Sequence, residues 1–177
     1  MLKTIESISI TELSTIIPLS PTIKYFIKID TKGAELAILK GSKKILQTCR
    51  FLKIEVEFNQ IYINQPIFSE VDLYLREHGF VLWKLSNLVH YGLPGESEIV
   101  MEKDIICYDG YREQYQVRGG QIYWADAYYI RKQIADATYD KTDVNTIKRD
   151  SEIARLLGLL DIKDRLDKSL SKILNTL

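Results

Sequence analysis

Residues 24–30 predict a strand, with the apolar Tyr25, Ile27 and Ile29 on one face. The run ends in Asp30 and a Thr31-Lys32-Gly33 turn. Residues 34–47 then carry apolar positions at helical spacing and predict one continuous helix, with Gly41 inside it. A second strand is predicted over 51–58, where Leu52, Ile54, Val56 and Phe58 share a face and Lys53, Glu55 and Glu57 lie opposite. After a connector over 59–68, Ser69-Glu70 opens a helix through Val71, Leu73, Tyr74 and Leu75 that Gly79 ends. Residues 80–85 read as the third strand.

This β-α-β-α-β succession predicts an α/β fold with parallel neighbours joined by right-handed helical crossovers. Upstream, alternation over 4–10 predicts a short strand, and Thr11-Glu12-Leu13-Ser14 a helical turn or two closed by Pro18 and Pro21. Residues 86–120 are rich in turn formers (Gly92, Pro94, Gly95, Gly119, Gly120) and read as irregular, with one strand over 104–108. An aromatic strand follows over 121–130. From Asn145 the pattern is helical again, with Gly158 ending one helix and Asp161 capping the next. Leu156, Leu160, Leu166, Leu170, Ile173 and Leu174 form an apolar stripe expected to pack on the sheet or on a second copy. The expected division is a main unit over 1–132 and a helical tail over 133–177.

Size and charge narrow the functional classes. With 177 residues the chain supports one domain with a real core. Lysine plus arginine equals aspartate plus glutamate at 24 each, which argues against binding nucleic acid through its phosphates. Cys49 and Cys107 are too few for a zinc site or a disulfide framework, so no metal is expected and both read as reduced thiols. No basic-then-apolar leader opens the chain, and no run approaches the roughly 20 apolar residues of a membrane span. The expected location is cytoplasmic.

Ligands of open α/β sheets sit at the carboxyl ends of strands. Asp30 and Glu57 both fall there, on neighbouring strands, where carboxylates can hold a hydroxyl or ammonium group, bind a metal or act as base. The alternative is a hydrogen bond to the first helical turn. A Lys28–Glu55 cross-strand pair is expected to absorb the charge between them. Glu35 suits the first turn of its helix through the helix dipole, and Gly33 permits a turn conformation that a side chain would resist. His78 reads as structural, beside the helix-ending Gly79. His90, in the connector, is a candidate general base or a solvated loop residue. Trp83, Tyr123, Trp124, Tyr128 and Tyr129 have the spacing of core packing, whereas Asp126 among them needs a partner.

Taken together, Ile27-Lys28-Ile29-Asp30, Gly33-Ala34-Glu35, Leu39-Lys40-Gly41 and Glu55-Val56-Glu57-Phe58 resemble the core motifs of the FkbM-type methyltransferases. Phe68-Ser69-Glu70-Val71, Glu77-His78-Gly79-Phe80 and Trp124-Ala125-Asp126-Ala127 extend the resemblance in the same order. It implies a Rossmann-like, doubly wound α/β sheet, present here in part: mostly parallel, with a late antiparallel strand and C-terminal helices. The elements resemble strands four to seven of a seven-stranded sheet. The implied activity is S-adenosylmethionine (SAM)-dependent O-methylation of a sugar, glycan or polyketide hydroxyl. Asp30 and Glu57 are the implied catalytic pair, Asp126 and His90 the substrate contacts, and Gly33 and Glu35 the cofactor contacts. Lys32 stands where the family usually has glutamate. No glycine-rich turn follows an N-terminal strand, so the cofactor site is expected to be incomplete and restored by a separate N-terminal half, and the unpaired edge of the strand over 24–30 is expected to favour a homodimer. The rival expectation is a non-catalytic interaction module derived from such an enzyme.

Overall fold

The computed structural model describes residues 25–91, 99–101 and 121–175. The strands expected over 4–10 and 104–108 and the helical turn at 11–14 lie outside them. Five strands form one sheet: β1 (Tyr25–Ile29), β2 (Cys49–Glu57), β3 (Phe80–Tyr91), β4 (Ile99–Met101) and β5 (Gln121–Arg131). Six helices accompany them: α1 (Glu35–Gly41), α2 (Lys43–Thr48), α3 (Phe68–Glu77), α4 (Lys132–Ala135), α5 (Val144–Leu156) and α6 (Leu160–Leu174).

The sheet order is β1-β2-β5-β3-β4, and only β1 and β2 pair in parallel. β5 is antiparallel to both β2 and β3, and β4 is antiparallel to β3. The expectation of a mostly parallel sheet is therefore corrected. β1, β2 and β3 do run the same way, as their helical crossovers require, but β5 lies between β2 and β3. The reason is burial. Ala127 and Tyr129 pack toward α1 and α3 while Ile130 packs toward α4–α6, so β5 has two apolar faces to cover and takes a central place. The winding is also simpler than expected. Both crossovers send their helices into one cluster, with Leu39, Leu46, Val71 and Leu75 on Leu52, Ile54 and Tyr129. The other face is covered by the C-terminal helices, through Ile134, Ile147, Ala154, Ile162 and Leu166 on Phe51 and Ile130.

Several boundaries shift for local reasons. The single helix expected over 34–47 breaks at Ser42, whose hydroxyl donates to the Ile38 carbonyl at 2.6 Å beside flexible Gly41. The next helix starts at Phe68, where the Glu70 carboxylate accepts the Ile67 N–H at 3.0 Å, and Gly79 closes it with φ +79°. β3 continues six residues past its expected end at 85, so 86–91 is strand rather than irregular chain. Gly158 ends α5 with φ +69° as expected, but Asp161 lies inside the first turn of α6 and accepts the Trp83 indole N–H at 2.9 Å. The leucine stripe is not continuous either. Leu166 is buried, whereas Leu156 and Leu160 stay 69% and 59% exposed, and Ile147, Ala154, Leu159 and Ile162 fill the core instead. The Cys49 thiol is buried and pushed up to about 12 by that burial, which keeps it protonated and unreactive.

Candidate functional site

The site is built where β1 and β2 end. Ile29 registers with Ile54, so Asp30 leaves the sheet beside Glu55, and Glu57 ends β2 two residues on. β5 completes the floor, with Asp126 opposite Glu55 on one side and Ser86 of β3 on the other. The β3 ladder slips between Ser86 and Val89, and Asn87 takes φ +51° there. Such an irregularity re-aims a side chain. The Asn87 amide donates to Asp126 Oδ2 at 2.6 Å.

The result is a crevice of about 210 Å³ whose polar lining is Lys28, Asp30, Lys53, Glu55, Asn87 and Asp126, with Trp124 as an aromatic wall. Two carboxylates in it are paired. Lys28 Nζ lies 3.0 Å from Asp30 Oδ2, and Lys53 Nζ lies 2.9 Å from Asp126 Oδ2. The expected Lys28–Glu55 pair is absent, because Lys28 registers with Lys53 and turns to its own strand end. Glu55 is left half-exposed without a hydrogen bond or ion pair among the described residues. Burial raises its pKa, and the nearby charges of Asp30, Asp126 and Glu35 add to that against Lys32.

Glu57 differs from its neighbour. Only 5% of it is exposed, and its Oε2 has no hydrogen-bond partner among the described residues. Burial first, then the charges of Glu55 and Glu35, push its carboxyl up to about 7, while the Gln65 amide beside it and Lys32 pull the other way. Gln65 is buried too, with its Nε2 unpartnered and its Oε1 accepting the Ile61 and Tyr62 N–H groups at 2.9 and 3.1 Å. These bonds hold the 59–67 connector over Glu57 and present Ile61, Tyr62 and Ile63 outward, Ile63 at 92% exposure.

The turn between β1 and α1 holds itself. Glu35 is buried, and its Oε1 accepts both the N–H and the hydroxyl of Thr31 at 3.0 Å while Oε2 accepts the Gly33 N–H at 2.8 Å. Lys32 and Gly33 both have positive φ, +52° and +113°. A side chain at Gly33 would meet Gln65 at 3.4 Å. Gly33→Ala is expected to cost about 1–2 kcal/mol through backbone strain, measured by urea unfolding. An unchanged midpoint would mean that the turn relaxes freely.

The other candidates fall as follows. Asp126 has the partners that its position demanded. His90 is not in a loop: its backbone pairs with Ile122 of β5 and Val100 of β4, because β3 runs on to Tyr91. Lys53, Glu55, Asn87 and Trp124 were not singled out as site residues. The signal for Asn87 is an asparagine in an apolar strand, a residue type that tolerates positive φ. Among the described residues no group of three or more acidic, histidine or cysteine side chains could hold a metal ion, and no helix is long and apolar enough to cross a membrane.

Lys28, Asp30, Lys53 and Glu55 of this crevice lie in the part of the chain with a recognisable relationship. Residues 3–82 match the methyltransferase FkbM domain. The resemblance carried by the motifs from Ile27 to Phe80 is thereby borne out, whereas the Trp124–Ala127 motif lies outside the match, which takes in β1, α1, α2, β2, α3 and the start of β3. No curated protein and no solved structure matches the chain.

The FkbM family implies SAM, and the turn at 31–35 is where the resemblance places cofactor contacts. The fit there is poor. The Thr31 and Gly33 amides and the Glu35 carboxylate satisfy one another, leaving no free acid for a ribose and neither amide free for a carboxylate.

Proposed function

We propose that this chain forms the acceptor side of a SAM-dependent O-methyltransferase acting on a polyhydroxylated molecule, a sugar, glycan or polyketide. One observation carries the reading: Glu55 is an accessible carboxylate of raised proton affinity, unpaired among the described residues, between two paired carboxylates at the sheet's carboxyl end. SAM supplies an electrophilic methyl group, and the acceptor hydroxyl must give up its proton as it attacks. A carboxylate whose pKa is raised toward the working pH accepts that proton well. Asp30, Asp126 and Asn87 are within the same crevice to accept or donate hydrogen bonds to neighbouring hydroxyls, and Trp124 gives a flat wall for a ring. Of the pair suggested by the sequence, Asp30 keeps direct contact. Glu57 acts from behind, as a positioning residue whose carboxyl is coupled to the charge of Glu55.

The test is methyl transfer from labelled SAM to a panel of hydroxylated acceptors, with the chain supplied with the separate SAM-binding half that the resemblance implies and product detected by mass. Glu55→Gln is expected to lower turnover about 10²–10⁴-fold, the usual contribution of a general base. Glu57→Gln is expected to lower it less and to move the pH profile. Undiminished turnover by Glu55→Gln would overturn the assignment. The held-out apolar tip Ile61-Tyr62-Ile63 favours a second reading, a non-catalytic interaction module. Failure of every acceptor, with a protein captured through that tip, would favour it.

A further inference from the structure

A second cluster of charge lies at the opposite end of the sheet, about 15–20 Å along β5 from Asp126. Arg131 ends β5, and its guanidinium donates from Nε to the Cys49 carbonyl at 2.8 Å and from Nη1 to the His78 carbonyl at 2.6 Å. Nη2 donates to the Leu46 carbonyl. The Phe80 ring lies against the guanidinium, 4.2 Å from its centroid. Three of its five N–H donors thus meet neutral carbonyls, which leaves two. No carboxylate pairs with it among the described residues. The charge that Arg50 adds nearby is positive, although Asp150 neutralises Arg50 itself. Taking an ion out of water is costly unless an opposite charge accompanies it.

The space for that charge is present. A cavity of about 350 Å³ is lined by Lys43, Leu46, Gln47, His78 and Arg131, with no acidic residue in its wall. Lys43 makes no ion pair among the described residues. The His78 ring stacks on Tyr74 with its Nδ1–H donating to the Tyr74 carbonyl at 2.7 Å, so Nε2 accepts from the acidic hydroxyl of a bound phosphate when the ring is neutral and donates to the anion once it has taken up that proton. Three chain segments therefore converge on one open volume with an ammonium, a carboxamide, an imidazole and a guanidinium, and no counter-charge.

We propose that this cavity binds a small phosphate-bearing anion, independently of the crevice at the other end of the sheet. The remaining guanidinium donors form part of a planar fork suited to phosphate oxygens, and Lys43 adds a point charge. The volume exceeds that of a phosphate group and leaves room for what carries it.

Inorganic phosphate and pyrophosphate are the probes, titrated into the full chain by calorimetry at fixed ionic strength, with acetate and chloride as controls. Saturable heats are expected for both phosphates and not for the controls. Lys43→Ala should weaken binding about three- to fivefold, the scale of one partly exposed charge contact. Its unfolding without anion should be unchanged, because Lys43 is exposed. His78→Gln serves as an independent second variant with the same direction of effect. Responses to phosphate no larger than to chloride, or parental affinity in both variants, would overturn the site. Equal binding of acetate would overturn its phosphate character.

Discussion

Replacing Asp150 by alanine is expected to destabilise the protein by about 3–5 kcal/mol, the cost of stranding a buried charge. Asp150 is fully buried on α5 and faces Arg50 near the start of β2. Arg50 Nε lies 3.1 Å from Oδ1 and Nη2 lies 2.5 Å from Oδ2. Tyr139 donates its hydroxyl to Oδ2 at 2.7 Å, and Gln133 accepts from Arg50 Nη1 at 2.8 Å. Every member is partnered, which is what makes a buried polar network tolerable. Asp150→Ala leaves a buried guanidinium with only the neutral Gln133 and Tyr139 as partners. The loss is a large fraction of the 5–15 kcal/mol typical of a domain. Changing both partners, with Arg50→Met and Asp150→Leu, is expected to recover most of it, because no charge is then left behind. Urea midpoints of the parent and the two variants check this. A double variant as unstable as Asp150→Ala would show that packing rather than charge is at stake.

Glu57→Gln is expected to stabilise the folded chain above pH 7 and to leave it unchanged near pH 4.5. Burial and the neighbouring carboxylates raise the Glu57 pKa from 4.5 to about 7, so the folded state holds the proton more tightly than the unfolded one. Below about 4.5 both states are protonated and no penalty exists. Between 4.5 and 7 the unfolded state ionises first and stability falls. Above 7 the penalty is complete. At about 1.4 kcal/mol per tenfold change in proton affinity, it is capped at roughly 3.5 kcal/mol, and solvent screening lowers it further. Thermal unfolding of parent and variant from pH 4.5 to 8.5 should give curves that diverge only as the pH rises. Parallel curves would mean that Glu57 is ionised at no cost and that its unpartnered oxygen is solvated. A residue that destabilises the fold in its charged form suits one kept for function.

Much of the site was legible from chain order and residue type. The strand–turn–helix from Tyr25 through Glu35 follows from period-two alternation, a glycine in the turn and an acid in the first helical turn. The parallel partnership of β1 and β2 follows from the helical crossover between them, and it sets Asp30 and Glu57 at neighbouring strand ends. Gly79 and Gly158 mark helix ends because each takes a positive φ that other residues resist.

What tertiary structure alone decided is which residues meet. Strand neighbours separated by some 70 residues in sequence leave no local trace, so β5 could enter between β2 and β3 and bring Asp126 opposite Glu55. That insertion diverted Lys53 to Asp126, and the register of β1 on β2 diverted Lys28 to Asp30, which left Glu55 as the unpaired acid. The irregularity at Asn87, the cover of Gln65 on Glu57 and the Arg50–Asp150 link are equally non-local. Periodicity reports which face of an element is apolar. It carries no information on which charged side chain of another element will come within hydrogen-bond reach, because that depends on register and order fixed only when the whole sheet and its helices pack.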